Sequence, residues 1–144
     1  MKKYGTLTHT TWECKYHVVF IPKCRKKVLY GTLRKHLGAV FKDLAQQRES
    51  EIEEGHLCPD HVHMLLAIPP KYSVSEVVGF LKGKSAIYVA RNFIGHRKNY
   101  GGQSFWARGY YVSTVGRDEK AIREYIQEQE KEDQKLEQGD LFTK

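Results

Sequence analysis

Apolar and polar residues follow regular patterns along this chain, and these patterns predict seven elements of secondary structure. Aromatic and β-branched residues dominate the first element, which ends at Pro22. Apolar residues recur at helical spacing in the second element, and Ser73 begins a capping pattern before the fifth. Strands are predicted at 12–21, 50–56, 61–68 and 110–115, and helices at 32–47, 74–92 and 118–134.

The order of these elements predicts an α+β fold on the ferredoxin-like plan. The first six form a repeated split β-α-β unit, which implies an antiparallel sheet with helices on one face. The seventh is an added C-terminal helix that follows Gly116, and glycine permits backbone angles that would let this helix move relative to the sheet. We expect a single domain over 1–144, with a body of 1–116, a helix segment of 117–134 and a polar, fraying tail of 135–144.

Length and composition favour a cytoplasmic protein with one hydrophobic core. A chain of 144 residues with 40% hydrophobic side chains is long enough to build a core. Its longest apolar run, 62–70, has nine residues, whereas a membrane helix needs about 20. The amino terminus lacks the apolar centre of a signal peptide, and three cysteines at unrelated spacings indicate no disulfide framework. No membrane association is expected.

Positive charge is concentrated in the first 116 residues. The whole chain carries a net charge of +7. Residues 117–144 hold nine acidic and six basic side chains, and 1–116 hold the other eight acidic and 18 basic ones. A body with a net charge of +10 suits a polyanionic partner such as nucleic acid, although many small basic proteins bind none.

Two histidines flank one bulky apolar residue at His61, Val62 and His63. Successive side chains on a strand point to opposite faces, so the two imidazoles share a face. They lie about 7 Å apart by the rise of the strand alone, and they can converge on one metal ion. Without a third ligand, a pair of surface or hydrogen-bonded histidines is the commoner explanation.

The last helix carries a second pair of chemically useful residues. Tyr125 and Gln129 are four residues apart, which places a phenol and an amide oxygen on one helical face. Tyr125 is alternatively a core aromatic beside Ile122 and Ile126, and Gln129 is alternatively a solvated surface residue. Their conjunction with the two histidines favours a functional site.

The chain resembles the single-tyrosine HUH transposases of small bacterial insertion sequences, a TnpA-like family in which HUH stands for histidine, bulky hydrophobic residue, histidine. The resemblance covers nearly the whole chain. Its segments are 16–23 (YHVVFIPK), 59–63 (PDHVH), 75–85 (SEVVGFLKGKS), 105–106 (FW), 110–116 (YYVSTVG) and 125–129 (YIQEQ). Cys24 stands where the family pattern suggests an aromatic residue, at a position outside the chemical motif.

The resemblance implies a metal-dependent endonuclease and strand transferase that acts on single-stranded DNA. His61 and His63 would bind Mg²⁺ or Mn²⁺ with Gln129 as the third ligand, and Tyr125 would attack a DNA phosphodiester. The product would be a 5′-phosphotyrosine with a free 3′-OH, and rejoining would need no ATP because the link stores the ester. The implied partners are DNA hairpins near the element ends and a second copy of the chain. In such a homodimer, the histidines of one subunit would meet the tyrosine of the other.

Basic side chains are the candidates for contacts with the DNA backbone. They are Lys23, Arg25, Lys82, Lys84, Arg91 and Arg108. Solvated charge on the second helix is an equally good explanation for three of them. The stretch 79–85 resembles a phosphate-binding loop, but three residues separate its glycines where that motif needs four, so no nucleotide cofactor is expected. Phe105 and Trp106 could stack on bases, but packing against the sheet is the favoured role.

Several neighbouring residues allow more than one interpretation. Cys58 would extend the histidine pair to a Cys-x-x-His-x-His set of the kind that favours zinc. Because Pro59 turns the chain and the family pattern supplies a glutamine instead, we expect Cys58 to lie outside the site. Asp60 forms a turn or orients a histidine, and the turn is slightly favoured. His17 faces the site, the core or an edge.

Two other functional classes remain open. The chain is alternatively a non-catalytic ferredoxin-like module whose sheet stacks the bases of a nucleic acid. Such a module would bind regardless of metal ions and of the Tyr125 hydroxyl. A two-histidine phosphoesterase would need a second H-x-[ST] element, for which His9 offers only a weak match.

Overall fold

The fold follows the predicted order of elements and adds one hairpin near the amino terminus. It is seen in a computed structural model, which describes residues 5–7, 9–23, 29, 31–94, 105–116 and 119–143. The strands are β1 (Gly5–Leu7), β2 (Thr10–Trp12), β3 (Lys15–Phe20), β4 (Glu51–Cys58), β5 (His61–Ala67) and β6 (Tyr111–Val115). The helices are α1 (Gly31–Gln46), α2 (Val74–Val89) and α3 (Glu119–Thr143), and a π-helical turn, Ala90–Ile94, continues α2. No helix in these ranges has the length and apolar character that a membrane span requires.

Four strands form an antiparallel sheet in the order β4-β5-β3-β6. The central strands β3 and β5 pair in register, from Lys15 opposite Ala67 to Phe20 opposite Val62. This strand order, with α1 and α2 in the connections, is the ferredoxin-like arrangement, so the predicted fold class is confirmed. Strands β1 and β2 form a separate two-stranded hairpin, which the short and mostly polar sequence there did not predict.

The main hydrophobic core lies between the sheet and helices α1 and α2. The strands contribute alternate side chains, and the helices cover them with aliphatic residues and Phe41. Its buried members include Val18, Phe20, Leu37, Phe41, Val62, Met64, Leu66, Val77, Val78 and Leu81. The predicted cap of α2 is confirmed, because Ser73 Oγ accepts a hydrogen bond from the Glu76 N–H at 3.0 Å.

Phe105 and Trp106 belong to this core as well. Both are buried, and the Trp106 indole donates to Ser85 Oγ at 2.9 Å. The residues around them continue the sheet locally, since the Lys23 N–H donates to the Phe105 carbonyl at 2.8 Å. The predicted packing role of these two residues is therefore confirmed, and the alternative role in base stacking is not supported.

Among the residues that the structure describes, helix α3 is the element that packs against the opposite face of the sheet. A second apolar cluster joins Ile126 of the helix to Leu65 of β5 and Val115 of β6. The added helix is thus present as predicted, but it continues to Thr143 instead of fraying after Gln134. Lysine, glutamate and glutamine are good helix formers and no proline interrupts the segment, which explains the longer helix.

Charged side chains anchor the beginning of α3 to the sheet. The Lys15 ammonium is 7% exposed and lies 3.1 Å from a Glu53 carboxylate oxygen and 2.9 Å from Glu119. Arg123 pairs with Glu53, with Glu119 at 2.9 Å and with Glu54 at 3.5 Å. A β-bulge in this part of β4 allows two successive glutamates to reach the same guanidinium.

Candidate active site

Strand β5 presents both histidines of the H-x-H pair to the face of the sheet that carries α3. His61 and His63 alternate with Val62, which enters the main core. The centroids of the two imidazole rings are 5.2 Å apart. His61 is half-buried, whereas His63 is only 1% exposed. The two imidazoles therefore lie side by side, as the alternation along a strand predicted.

Asp60 orients the ring of His61. Its Oδ1 atom lies 2.9 Å from His61 Nδ1, so Nδ1 is the nitrogen that donates to the carboxylate. Nε2 is then left to bind a metal ion, in the carboxylate–histidine–metal arrangement common in proteins. Asp60 also lies in the turn between β4 and β5. Asp60 therefore both forms the turn and orients His61, which are the two roles that the sequence left open.

His63 is held in its neutral form. Burial, and next the nearby imidazoles of His61, His17 and His56, lower the pKa of His63 to about 3. A neutral imidazole is the form that binds metal ions, so His63 needs to lose no proton before it acts as a ligand near neutral pH.

Helix α3 brings Tyr125 to the histidines of its own chain. The Tyr125 ring centroid lies 5.7 Å from that of His63 and 6.4 Å from that of His17, in edge-on geometry. The next residue, Ile126, is buried against the sheet, but Tyr125 is 52% exposed. Tyr125 is thus not a core aromatic. Its phenol is open to solvent beside a buried histidine.

Gln129 lies between two residues of α3 that contact the histidine cluster. Tyr125 precedes it by four residues and reaches His63. Asp133 follows it by four and lies 3.0 Å from His56 Nε2, measured at Oδ2. Gln129 itself is half-buried. Its role as the third metal ligand stays a prediction.

Cys58 lies beside the two histidines, contrary to the expectation from the sequence. The two-residue turn after β4 folds the chain directly back, so Cys58 is the register partner of His61. Residues directly opposite in an antiparallel pair share a face. Cys58 Sγ is 3.8 Å from His63 Nε2, and the ligand atoms of Cys58, His61 and His63 all lie within 4.8 Å of one another. The turn that was expected to exclude Cys58 is therefore what brings it in.

Two more histidines complete the cluster. His56 is the register partner of His63 on β4, with ring centroids 6.2 Å apart. His17 lies on β3, and its ring centroid is 6.0 Å from that of His63. Burial lowers the pKa of His17, and no hydrogen-bond partner for its buried Nε2 is found in the described ranges. Counting residues back across the turn would have placed His56 opposite His63. The position of His17 could not be found in this way, because it depends on which strand lies next to β5 in the sheet.

The basic residues predicted to contact DNA have different surroundings. Lys23, Lys84, Arg91 and Arg108 are exposed. The Lys82 ammonium donates to the carbonyls of Ala107 at 2.8 Å and Gly109 at 2.6 Å, and burial lowers its pKa. Lys82 thus holds the segment before β6 in place. Arg25 lies outside the described residues. A DNA contact by any of the six stays a prediction.

Comparison with known proteins identifies the family. The family model described as "Transposase IS200 like" matches residues 10–129. The chain belongs to this IS200-like transposase family. It is 45% identical over 133 residues to the transposase for insertion sequence element IS200 of Salmonella typhimurium strain LT2, covering 92% of this chain and 88% of that protein. It is 31% identical over 122 residues to the ISDra2 transposase TnpA of Deinococcus radiodurans, covering 82% of this chain and 85% of that protein.

Solved structures share the fold. A crystal structure of a candidate transposase from Deinococcus radiodurans R1 is 31% identical, with a TM-score of 0.69, and the match covers 90% of this chain and 98% of that one. A REP-associated tyrosine transposase bound to a REP hairpin has a TM-score of 0.54 at 17% identity, covering 79% of this chain and 62% of that one. The family resemblance predicted from the sequence is therefore confirmed, and with it the general class of enzymes that move DNA.

Proposed function

We propose that this IS200-like transposase cleaves and rejoins single-stranded DNA at the ends of an insertion element, through a covalent link to Tyr125 and with a divalent ion. The observation that carries this proposal is the position of Tyr125, whose exposed ring lies 5.7 Å from that of His63. A potential nucleophile and two potential metal ligands therefore lie together at one face of the sheet, in a chain of a transposase family.

The proposed reaction exchanges one phosphate ester for another. The phenol oxygen of Tyr125 forms a bond to phosphorus and the phenol loses its proton. The bond from phosphorus to the 3′ oxygen breaks, and that oxygen takes up a proton to give a free 3′-OH. The 5′ end stays attached to Tyr125. A 3′-OH from another strand then reverses the steps and releases the tyrosine, without ATP.

His61 and His63 would hold the divalent ion, Mg²⁺ or Mn²⁺, with Gln129 as an oxygen ligand from α3. The donors fit such an ion, because Asp60 directs His61 Nε2 away from the turn and burial keeps His63 neutral. A bound ion withdraws negative charge from the scissile phosphate and the leaving oxygen. The protein supplies the orientation, since both histidines stand on a central strand of the sheet.

The proposed substrate is a single-stranded DNA hairpin near each end of the element. One structural relative is bound to a REP hairpin, and residues 1–116 of this chain carry a large positive excess. Lys84 and Arg91 are seven residues apart, about two helical turns, and are both exposed, so they would offer positive charge to one stretch of DNA backbone.

A denaturing gel would test the proposal. The protein is incubated with labelled single strands from the flanks of its own gene, with and without Mg²⁺ or Mn²⁺, beside Tyr125→Phe. We expect a covalent adduct that requires the ion and disappears in the variant. Tyr111→Phe is a matched control, because Tyr111 is another exposed tyrosine whose ring lies 6.0 Å from that of His17. Binding of all flanking strands without any adduct would contradict the proposal and favour a non-catalytic module.

A homodimer with composite sites belongs to the same proposal, and it rests on the family resemblance. In the structure, Tyr125 meets His63 within one chain. Mixing Tyr125→Phe with His63→Ala distinguishes the two arrangements, because only an exchanged helix unites an intact histidine pair with an intact tyrosine. Restored adduct formation is expected for composite sites, together with a dimer mass in solution. A mixture as inactive as its parents would place each active site within a single chain.

A further inference from the structure

We propose that Cys58, His61 and His63 form a zinc site in which the Cys58 thiolate is the third ligand. The site shares its histidines with the proposed active site and in that sense rests on the proposed function. Its ligand set is different, however, because the sulfur comes from β4 and no residue of α3 is needed. The argument depends on where these three side chains lie, whatever the chemistry at Tyr125.

The distances fit zinc. In a tetrahedral site with a Zn–S bond of about 2.3 Å and a Zn–N bond of about 2.0 Å, sulfur and nitrogen lie about 3.5 Å apart. Cys58 Sγ and His63 Nε2 are already 3.8 Å apart. The three ligand atoms lie within 4.8 Å of one another. Three protein ligands would leave a fourth position for a solvent or substrate atom.

The surroundings favour a cation at this point. The Asp60 carboxylate directs His61 through Nδ1, which leaves Nε2 as the ligand atom. Burial, and next the negative charges of the Asp133 and Asp60 carboxylates, raise the pKa of the Cys58 thiol to about 12, so the ion itself has to displace the thiol proton. Cys58 Sγ and His63 Nε2 already lie within hydrogen-bonding distance, so an ion bound between them would displace the thiol proton. That proton leaves to solvent as the thiolate–metal bond forms.

A second group of donors shares Cys58 but is a poorer metal site. The ligand atoms of His56, Cys58 and Asp133 also lie within 4.8 Å of one another. The imidazole and the carboxylate of that group are bound to each other at 3.0 Å. The Arg34 guanidinium lies 3.2 Å from the same His56 nitrogen, and its positive charge opposes a metal ion there. The ligand set with both residues of the H-x-H pair is therefore the better one.

The chemistry of the donors indicates which ion this set prefers. Thiolate and imidazole ligands select zinc over magnesium and manganese, which prefer oxygen. Zinc would therefore bind at the histidines more tightly than the ions that serve phosphate chemistry, and it would compete with them for the same place. Two histidines alone would keep a weaker form of this preference, and the Cys58 thiolate strengthens it.

Cobalt is a suitable probe, because a cobalt–thiolate bond gives a charge-transfer absorption band in the near ultraviolet and zinc displaces the cobalt. The experiment uses the full-length chain with Cys14→Ser and Cys24→Ser, so that Cys58 is the only thiol. We expect one Co²⁺ per chain, with the band present, and full displacement by Zn²⁺. Cys58→Ser should remove the band and lower the affinity for Zn²⁺ at least about tenfold. His36→Gln is the control, since His36 is exposed and outside the cluster.

Two results would overturn the proposal. One is cobalt binding without a charge-transfer band in the protein that retains Cys58. The other is an unchanged zinc affinity in Cys58→Ser. His61→Gln provides a second variant should Cys58→Ser fail to fold, because His61 is not part of a core, and it should weaken Zn²⁺ binding by a similar factor. The cobalt spectrum can be recorded on Tyr125→Phe, so it tests the zinc site even if the DNA adduct assay fails. Equally, the adduct assay tests the proposed function even if no zinc site is found.

Discussion

His63 should make the folded protein less stable as the pH falls below neutral. Burial and the neighbouring imidazoles lower the pKa of His63 to about 3, whereas a histidine in an unfolded chain has a pKa of about 6.5. The unfolded state therefore binds the proton more readily, and acid favours unfolding. The stabilising contribution of the neutral imidazole is fully present above pH values of about 6.5, and it is lost progressively as the pH falls towards about 3.

The size of the effect follows from the two pKa values. At pH 5 the unfolded imidazole is almost fully protonated, while the folded imidazole remains neutral. The linkage relation then gives a loss of about 2 kcal/mol in the free energy of unfolding between about pH 7.5 and pH 5. Solvent screening does not reduce this figure, because His63 is only 1% exposed. It is a substantial part of the roughly 5–15 kcal/mol that stabilises a typical domain.

Urea unfolding followed by circular dichroism at several pH values would measure this effect, with a chelator present so that no metal ion holds the imidazole. The comparison is between the wild type and His63→Gln, which carries no titrating group at position 63. The variant should lose about 2 kcal/mol less stability than the wild type over the same pH interval. His36→Gln, at an exposed position, should behave as the wild type does. An equal loss in His63→Gln and the wild type would refute the reasoning.

Four other substitutions test contacts in the fold and at its surface. Arg123→Met removes the partly buried ion pairs of α3 and should cost about 1–2 kcal/mol, with faster amide exchange in that helix; unchanged exchange would show that these pairs do not anchor it. Ser85→Ala leaves the buried Trp106 indole without its acceptor and should cost about 1–3 kcal/mol in urea unfolding, and a neutral result would mean that another acceptor takes over. Lys84→Gln should lower the slope of log affinity for single-stranded DNA against log salt concentration by about 0.7, without loss of stability. Lys82→Gln should instead destabilise the fold, because the Lys82 ammonium donates to two carbonyl groups. The opposite pattern would mean that Lys82 contacts DNA and Lys84 supports the fold.

Periodicity within single elements predicted most of the fold. The apolar spacing of α1 reflects one buried face, and the short apolar run of β5 reflects a strand that is buried on both faces. Both patterns can be recognised from the sequence alone. The same argument placed His61 and His63 side by side. The hairpin before β3 and the continuation of α3 past Gln134 were missed, because neither segment carries an apolar face of its own.

The rest of the site depends on pairing between strands, which no single-element pattern contains. Cys58 and His56 face the histidine pair because the turn after β4 sets the register of the two strands. His17 joins them because β3 lies next to β5 in the sheet, with Val19 opposite His63. The turn is visible in the sequence, but the prediction that it keeps Cys58 outside the site is wrong. A two-residue turn pairs the following strand with the strand before it, so the residues on the two sides of the turn lie opposite each other.

Helix α3 shows why the placement of the tyrosine could not be derived from the sequence. Its apolar contact with the sheet centres on Ile126, and burial of such a side chain contributes only about 1.5–3 kcal/mol. Ion pairs of Lys15 and Arg123, the hydrogen bond of Gln127 to Glu54 and the contact of Asp133 with His56 supply the remaining attachment. The helix would lose these contacts on leaving its own sheet, and a second copy of the same chain would offer the same contacts in exchange. That is the physical condition that exchange of the tyrosine between two subunits requires, and the same contacts decide how closely Tyr125 approaches His63 when the helix stays.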